Sequence, residues 1–358
     1  MTDPRAPAGR LERERPRGED PERTFDWYTP KRRRATLYED VTIDSQPSVH
    51  RHIDRDWPVH FDDGRGLWWP ESTRLRSSDW YAFRDPGELW ERNYYQQGTA
   101  HEQLVKGAVS GARRERILED FTPEWVGFLH AHLQTPAFVE HGLWLALASA
   151  GRDCLSDSIA HCVVLDAAMK QRHSQAIVLY GLDLESHFGE FPVERARESF
   201  LHDAHWQPAR RYLERLRATP DWGERIVAAN LCFEPLVGVL LRRELLMRAP
   251  KWGGDALTSA VGHVAQLEWA WIHDWSAEFV RFVLADVEHG AANREVLAGW
   301  IADWLPQARA ATDALQPVFA ELPKGAGGFA AARENVEIDR AKLFDAAELR
   351  ELLAMVAQ

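Results

Sequence analysis

Cysteine is scarce: Cys154, Cys162 and Cys232 are the three in 358 residues, far apart and without a Cys-x-x-Cys pair. That pattern excludes a disulfide framework and gives no basis for a zinc or iron–sulfur site, so a reducing, cytoplasmic setting is expected. Long apolar runs are missing too. No stretch of about eighteen apolar residues runs without a charge, and Met1-Thr2-Asp3-Pro4-Arg5 leads into alternating Arg, Glu and Pro rather than an apolar leader. Neither a membrane span nor a secretory signal is expected. A basic excess is also lacking, because 43 Lys and Arg face 55 Asp and Glu for a net charge of −12; this speaks against a nucleic-acid partner. The run Lys31-Arg32-Arg33-Arg34 has no aromatic platform or helix-turn-helix pattern behind it and reads as a solvated or carboxylate-paired stretch. A Gly-x-Ser-x-Gly elbow, a P-loop and a dinucleotide fingerprint are all absent. The chain carries no independent catalytic signature.

Tryptophan, by contrast, is abundant: sixteen residues, with Trp57, Trp68, Trp69, Trp80 and Trp90 in one short stretch. The organisation changes along the chain. Residues 1–23 interleave Pro4, Pro7, Pro16 and Pro21 with Arg and acids and read as a disordered tail. Residues 24–98 are aromatic, but Pro30, Pro47, Pro58, Pro70 and Pro86 break any long helix, giving an irregular N-terminal arm. So long an irregular segment is easiest to place across a partner's surface, where Trp, Tyr and Arg are enriched. Residues 99–358 show apolar residues at three- and four-residue steps, which predicts an all-α helical bundle. Helices are expected at about 122–150 with a kink at Pro136, then 153–184, 192–217, 220–248, 254–289, 292–320 and 339–357.

Four long helices raise the question of a metal centre. Ferritin-like carboxylate diiron proteins take one Glu from each of two helices and a Glu-x-x-His motif from each of the other two. The chain contains no Glu-x-x-His. Lys170-Gln171-Arg172-His173 has Lys where the liganding Glu would stand, and Glu140 lies where an earlier helix would present its carboxylate. Asn230, in Asn230-Leu231-Cys232-Phe233-Glu234-Pro235-Leu236, stands where a third helix would carry Glu. Glu268-Trp269-Ala270-Trp271 ends in indole instead of imidazole. Glu140, His173 and Glu268 are the retained ligand types, too few for two irons, and Lys170 beside Glu140 or Glu268 would make an internal ion pair instead. Read from residues alone, the same side chains serve equally well as ordinary helix-pairing residues. The pairs Asp157 with His161 and Glu198 with His202 have the i, i+4 spacing of surface pairs.

The arm carries a more specific signal. Phe25-Asp26-Trp27-Tyr28-Thr29-Pro30, Arg33-Arg34-Ala35-Thr36-Leu37-Tyr38-Glu39-Asp40-Val41-Thr42 and Gln46-Pro47-Ser48-Val49-His50-Arg51-His52 resemble hydroxylase small subunits of actinobacterial propane monooxygenases. Trp57-Pro58-Val59, Asp79-Trp80-Tyr81-Ala82-Phe83-Arg84-Asp85-Pro86 and Leu89-Trp90-Glu91-Arg92-Asn93-Tyr94-Tyr95-Gln96 resemble the region shared by β subunits of methane, phenol, toluene and alkene hydroxylases. The resemblance is concentrated in 24–98 and continues to about 320. It implies a ferritin-like, metal-free bundle and a non-catalytic small (β) subunit of a soluble diiron monooxygenase, with no catalytic, cofactor or metal residue of its own. It further implies a large α subunit holding the diiron centre, an α2β2 assembly, a coupling protein, and a reductase carrying FAD and an iron–sulfur cluster that draws on NADH. The interface candidates on this reading are Trp57, Trp80, Phe83, Arg84, Asp85, Trp90 and Tyr94. Related tetrahydrofuran, alkene, acetone and phenol hydroxylases remain alternatives, as does a self-standing ferritin-like dimetal protein, because the substrate is set in the α subunit.

Overall fold

The computed structural model describes residues 28–32, 34–44 and 69–349; the expected tail at 1–23 and the residues Trp57 and Trp68 lie outside them. Among the described residues every regular element is helical. The first, α1 (Leu37–Glu39), is set by a reciprocal cap. The Thr36 hydroxyl accepts from the Glu39 N–H at 3.2 Å, and the Glu39 carboxylate accepts the Thr36 N–H at 3.1 Å. It continues as a single wide turn, Asp40–Asp44.

Helix α2 (Glu91–Arg114) starts ahead of the expected boundary near 99, with Glu91 in its first turn and Arg113 and Arg114 in its last, as the helix dipole favours. Thr122 caps α3 (Pro123–His132), whose first position is a proline. At Pro136 the expected kink is a full break, and α4 runs Pro136–Gly151. Helix α5 (Asp157–Phe188) is capped by Ser156, and the chain turns out of it at Gly189, whose φ of +83° suits glycine. The expected helix 192–217 is two, α6 (Val193–His202) and α7 (Gln207–Ala218). Helix α8 (Trp222–Ile226) widens into π-helical turns over Val227–Gly238 and Leu240–Arg248, a form that accommodates Pro235 and its missing N–H. Then follow α9 (Thr258–Leu284), α10 (Gly290–Ala314), α11 (Gln316–Ala320) and α12 (Phe329–Ala346). The last begins before the expected 339, and residues 350–358 are outside the description.

Helices α4 and α5 pack along each other most extensively; the π-helical continuation of α8 and α9 complete the bundle, and α7, α10 and α12 form a second layer against it. Trp125, Trp206, Trp222, Trp275, Trp300 and Trp304 fill the interior. The arm joins this core. Trp80 meets Trp222 edge-on at 5.4 Å, and Phe83 packs against Phe279 and Phe282 of α9 at 6.2 and 5.6 Å.

Candidate functional site

A closed ring of four charges lies at the centre of the bundle, one from α4, one from α5 and two from the π-helical part of α8. The Lys170 ammonium donates to Glu234 Oε2 at 2.6 Å and stands 3.9 Å from Glu140 Oε2. Arg242 closes the ring from the other side, its two terminal nitrogens reaching Glu140 Oε1 at 3.0 Å and Glu234 Oε2 at 2.6 Å. All four side chains are buried. Burial alone would raise the Glu140 carboxyl, but Lys170, then His173 and Arg242, outweigh it and hold it well below the usual carboxylate range. Arg242 is likewise held charged against its burial by Glu234 and Glu140.

The backbone is fitted to this ring. Glu234, Gly238 and Arg242 recur at four-residue steps through an otherwise apolar, fully buried run. A Cβ on Gly238 would fall 2.6 Å from Glu234 Oε1 and 2.9 Å from Arg242 Nη2. Only glycine leaves room for both charged groups to meet beside it.

Glu268 of α9 belongs to a second group. It is in contact with His173 and Arg172 of α5 and accepts from His101 Nδ1 of α2 at 3.0 Å. Burial lowers the His173 imidazole to about 4, partly opposed by Glu140, so the ring is neutral near pH 7. His173 Nδ1 is 3.9 Å from Glu140 Oε2, which places the two groups side by side. A turn before Glu234, Asn230 donates to Asp166 Oδ2 at 2.8 Å and lies 3.0 Å from Ser276 Oγ. Burial raises the Asp166 carboxyl to about 7 despite Lys170 and Asn230.

Glu140, Lys170, His173 and Glu268 therefore converge as the sequence expectation had them, but the pairing differs. Lys170 takes Glu234 as its closest carboxylate, Glu140 is second, and Glu268 goes to His173. Asn230 sits outside the ring, and Glu234 supplies the third helix's carboxylate in its place. Trp271 turns away from the ring and donates its indole N–H to Asp85 Oδ2 at 2.9 Å. Glu234 and Arg242 escaped the sequence reading, although their spacing around Gly238 was a usable sign.

This donor set does not fit a dimetal carboxylate centre. An ammonium and a guanidinium occupy the space between the carboxylates of Glu140 and Glu234 and already neutralise their charge, and cations of this kind cannot act as ligands. Among the described residues no group of three or more His, Cys, Asp or Glu side chains has the geometry to hold a metal ion.

Five of the seven arm residues singled out by the sequence, Trp80, Phe83, Arg84, Asp85 and Tyr94, have contacts within the chain. Phe83, Arg84, Asp85 and Tyr94 are buried. The Arg84 guanidinium donates to Glu39 Oε1 at 2.7 Å, to the Phe83 carbonyl at 2.8 Å and to the Thr29 carbonyl at 3.1 Å. Asp85 accepts the Leu89 and Gly87 N–H groups at 2.8 and 2.9 Å besides the Trp271 indole. Burial raises its carboxyl even so. Tyr94 lies under the Arg172 guanidinium at 5.2 Å. Trp80 and Trp90 are half-buried, and Trp57 is outside the described residues. Of the two i, i+4 pairs, His202 meets Glu198 at 3.2 Å on the surface, while His161 lies 3.7 Å from Glu91 of α2.

The family model for methane/phenol/alkene hydroxylases matches residues 57–287. The small subunit of the propane 2-monooxygenase hydroxylase component of Rhodococcus jostii (strain RHA1) is 35% identical over 84% of this chain and 82% of its own length. The methane monooxygenase component A beta chain of Methylosinus trichosporium is 26% identical over 85% and 80% of the two chains. A solved phenol hydroxylase chain from Pseudomonas sp. OX1 superposes with a TM-score of 0.72 at 20% identity, covering 87% of this chain and 90% of that one, and shares the fold.

Proposed function

The chain belongs to the methane/phenol/alkene hydroxylase family, and from that premise we propose that it is the non-catalytic small (β) subunit of a propane monooxygenase-like hydroxylase, the scaffold of a large subunit that does the chemistry. The observation that carries the reading is the Lys170–Glu234–Arg242–Glu140 ring. Where a carboxylate-diiron bundle sets its carboxylates against metal cations, this one sets them against its own ammonium and guanidinium. The propane assignment rests on degree: four small subunits of propane 2-monooxygenases are 31–35% identical to it, whereas two methane monooxygenase beta chains, a phenol 2-monooxygenase oxygenase component and a toluene-4-monooxygenase hydroxylase subunit beta are 24–27% identical.

On this reading the diiron centre resides in the large (α) subunit and supplies the oxygen-activating chemistry for hydroxylating a hydrocarbon. Electrons come from NADH through a reductase with FAD and an iron–sulfur cluster, a coupling protein gates the reaction, and the hydroxylase is an α2β2 dimer in the cytoplasm. Three buried free thiols suit that compartment. In this arrangement the β chain offers the α subunit a rigid wall. Its own centre is tied across α4, α5 and α8, and needs no metal to be ordered.

The test is iron content and activity together. This chain purified alone is expected to hold no stoichiometric iron, the co-expressed large and small subunits about two per αβ unit, and propane-dependent NADH consumption should require both. Stoichiometric iron in the lone chain, or full activity of the large subunit without it, overturns the assignment.

A further inference from the structure

The outward face of α5 carries no charge from Val164 to Leu182. Val164, Ala168, Gln171, Gln175, Leu179 and Leu182 recur at steps of three and four and form one stripe. Val164, Leu179 and Leu182 are 50, 59 and 51% exposed. The charged residues of this stretch point elsewhere: Asp166 and Lys170 are buried, and Arg172 is turned onto Glu268. Among the described residues the stripe is bounded but uncovered. On one side α2 runs alongside, tied by Glu91 to His161 at 3.7 Å, Tyr94 to Arg172 at 5.2 Å and Arg113 to Asp183 at 3.2 Å. On the other, Gly151 at the end of α4 lies against Val164, and Gln134, just ahead of α4, lies against Gly181.

We infer that this stripe is the docking face for the large hydroxylase subunit, which would meet it with an apolar, uncharged helical surface. The inference rests on the small-subunit reading above. At a rise of 1.5 Å per residue the stripe is about 27 Å long, and at a helix width near 10 Å it offers about 270 Å². That is roughly a third of the ~800 Å² each partner gives to a standard stable interface, enough for its central strip. Charged residues are depleted from the core of such interfaces because desolvating them is costly. Two of the arm's aromatic side chains, Phe83 and Tyr94, are already buried against this chain. A permanent heteromer needs an apolar contact, and the outward face of α5 provides one.

The experiment is co-expression of the full chain with its large partner, comparing wild type with Leu179→Glu/Leu182→Glu and with Ile338→Glu, which places one charge at an exposed apolar residue of α12. Two charges in the stripe are expected to weaken association about a hundredfold or more, with helix content unchanged, while Ile338→Glu associates like wild type. Wild-type affinity in the stripe variant overturns the inference. Should the double variant misfold, a photo-crosslinker attached at Gln175→Cys decides. Crosslinks into the large subunit support the inference, whereas crosslinks to a second copy of this chain, or none in an intact complex, overturn it. Failure of the wild-type chains to associate at all would instead defeat the small-subunit reading, so the two failures are distinct.

Discussion

Replacing Lys170 with methionine removes one charge from the ring and little of its volume. The ammonium stands 2.6 Å from Glu234 and 3.9 Å from Glu140. At an effective dielectric near 20 those distances correspond to gross attractions of about 6 and about 4 kcal/mol. Most of that is offset by the cost of taking the ammonium out of water, which methionine does not incur. What remains is the state left behind: two buried carboxylates sharing one guanidinium, with nowhere to hydrate. Removing one partner of such a network costs about 3–5 kcal/mol, a large fraction of the ~5–15 kcal/mol that holds a domain folded. Urea unfolding of this chain near pH 7.5, followed by helical circular dichroism, should therefore show a markedly lower midpoint at an unchanged slope. Lys170→Met/Glu234→Gln leaves one carboxylate facing one guanidinium and should recover at least half of the loss. A single variant within about 1 kcal/mol of wild type, or a double variant no better than the single, would refute the reasoning, because the ring would not be carrying its own compensation.

Three further outcomes follow from neighbouring geometry. His173 titrates near 4 in the fold against 6.5 when free; its stabilising contribution is whole above pH 6.5 and is lost as pH falls towards 4, about 3 kcal/mol in all. Subtracting the stability–pH curve of His173→Gln from that of wild type should isolate this slope, and parallel curves would contradict a buried neutral imidazole. Gly238→Ala forces a methyl against two pinned charged groups and should cost about 1–3 kcal/mol, whereas Gly107→Ala, which meets nothing within 4 Å on α2, should be neutral or stabilising. Arg84→Met removes the link to Glu39 and Thr29; hydrogen exchange should then lose protection over residues 37–44 while α4 and α5 keep theirs.

The bundle was legible in the sequence because helical periodicity survives wherever one face of a helix is buried. Boundaries were less so. Pro136 broke a helix where a kink was expected, since it has no N–H to donate to the turn before it, and Asp203 to Trp206 divide another. The site was half legible. Glu140, Lys170, His173 and Glu268 came from comparing residues with a ligand template, but that template fixes an α-helical register, and the π-helical turns of α8 bring Glu234 to the ring instead of Asn230. Arg242 was invisible for a different reason. Arginine is mostly a surface residue, and nothing in the pattern marks one as buried except its steps from Glu234 and Gly238. The arm is ambiguous in another way: dense aromatics show that something will be buried, but not whether the surface that buries them belongs to the same chain. Phe83 and Trp80 find theirs on α9 and Trp222.

The ring and the stripe lie on opposite faces of one helix. Lys170 and His173 face the interior, while Gln171, Gln175 and Leu179 face outward, so whatever fixes the rotation of α5 about its axis also fixes what it presents. Apolar contacts with α4 tolerate small rotations, because one methyl substitutes for another. The Lys170 pairs do not, since even an ångström of displacement leaves a buried charge unpaired. We predict that Lys170→Met, held at a temperature where it remains helical, loosens this orientation as well as the fold. A crosslinker at Gln175→Cys should then reach the large subunit at more positions and in lower yield than it does from the otherwise wild-type chain. An unchanged crosslink map from a measurably destabilised Lys170→Met variant would show that packing alone orients α5, and that the ring contributes stability without specifying the surface opposite it.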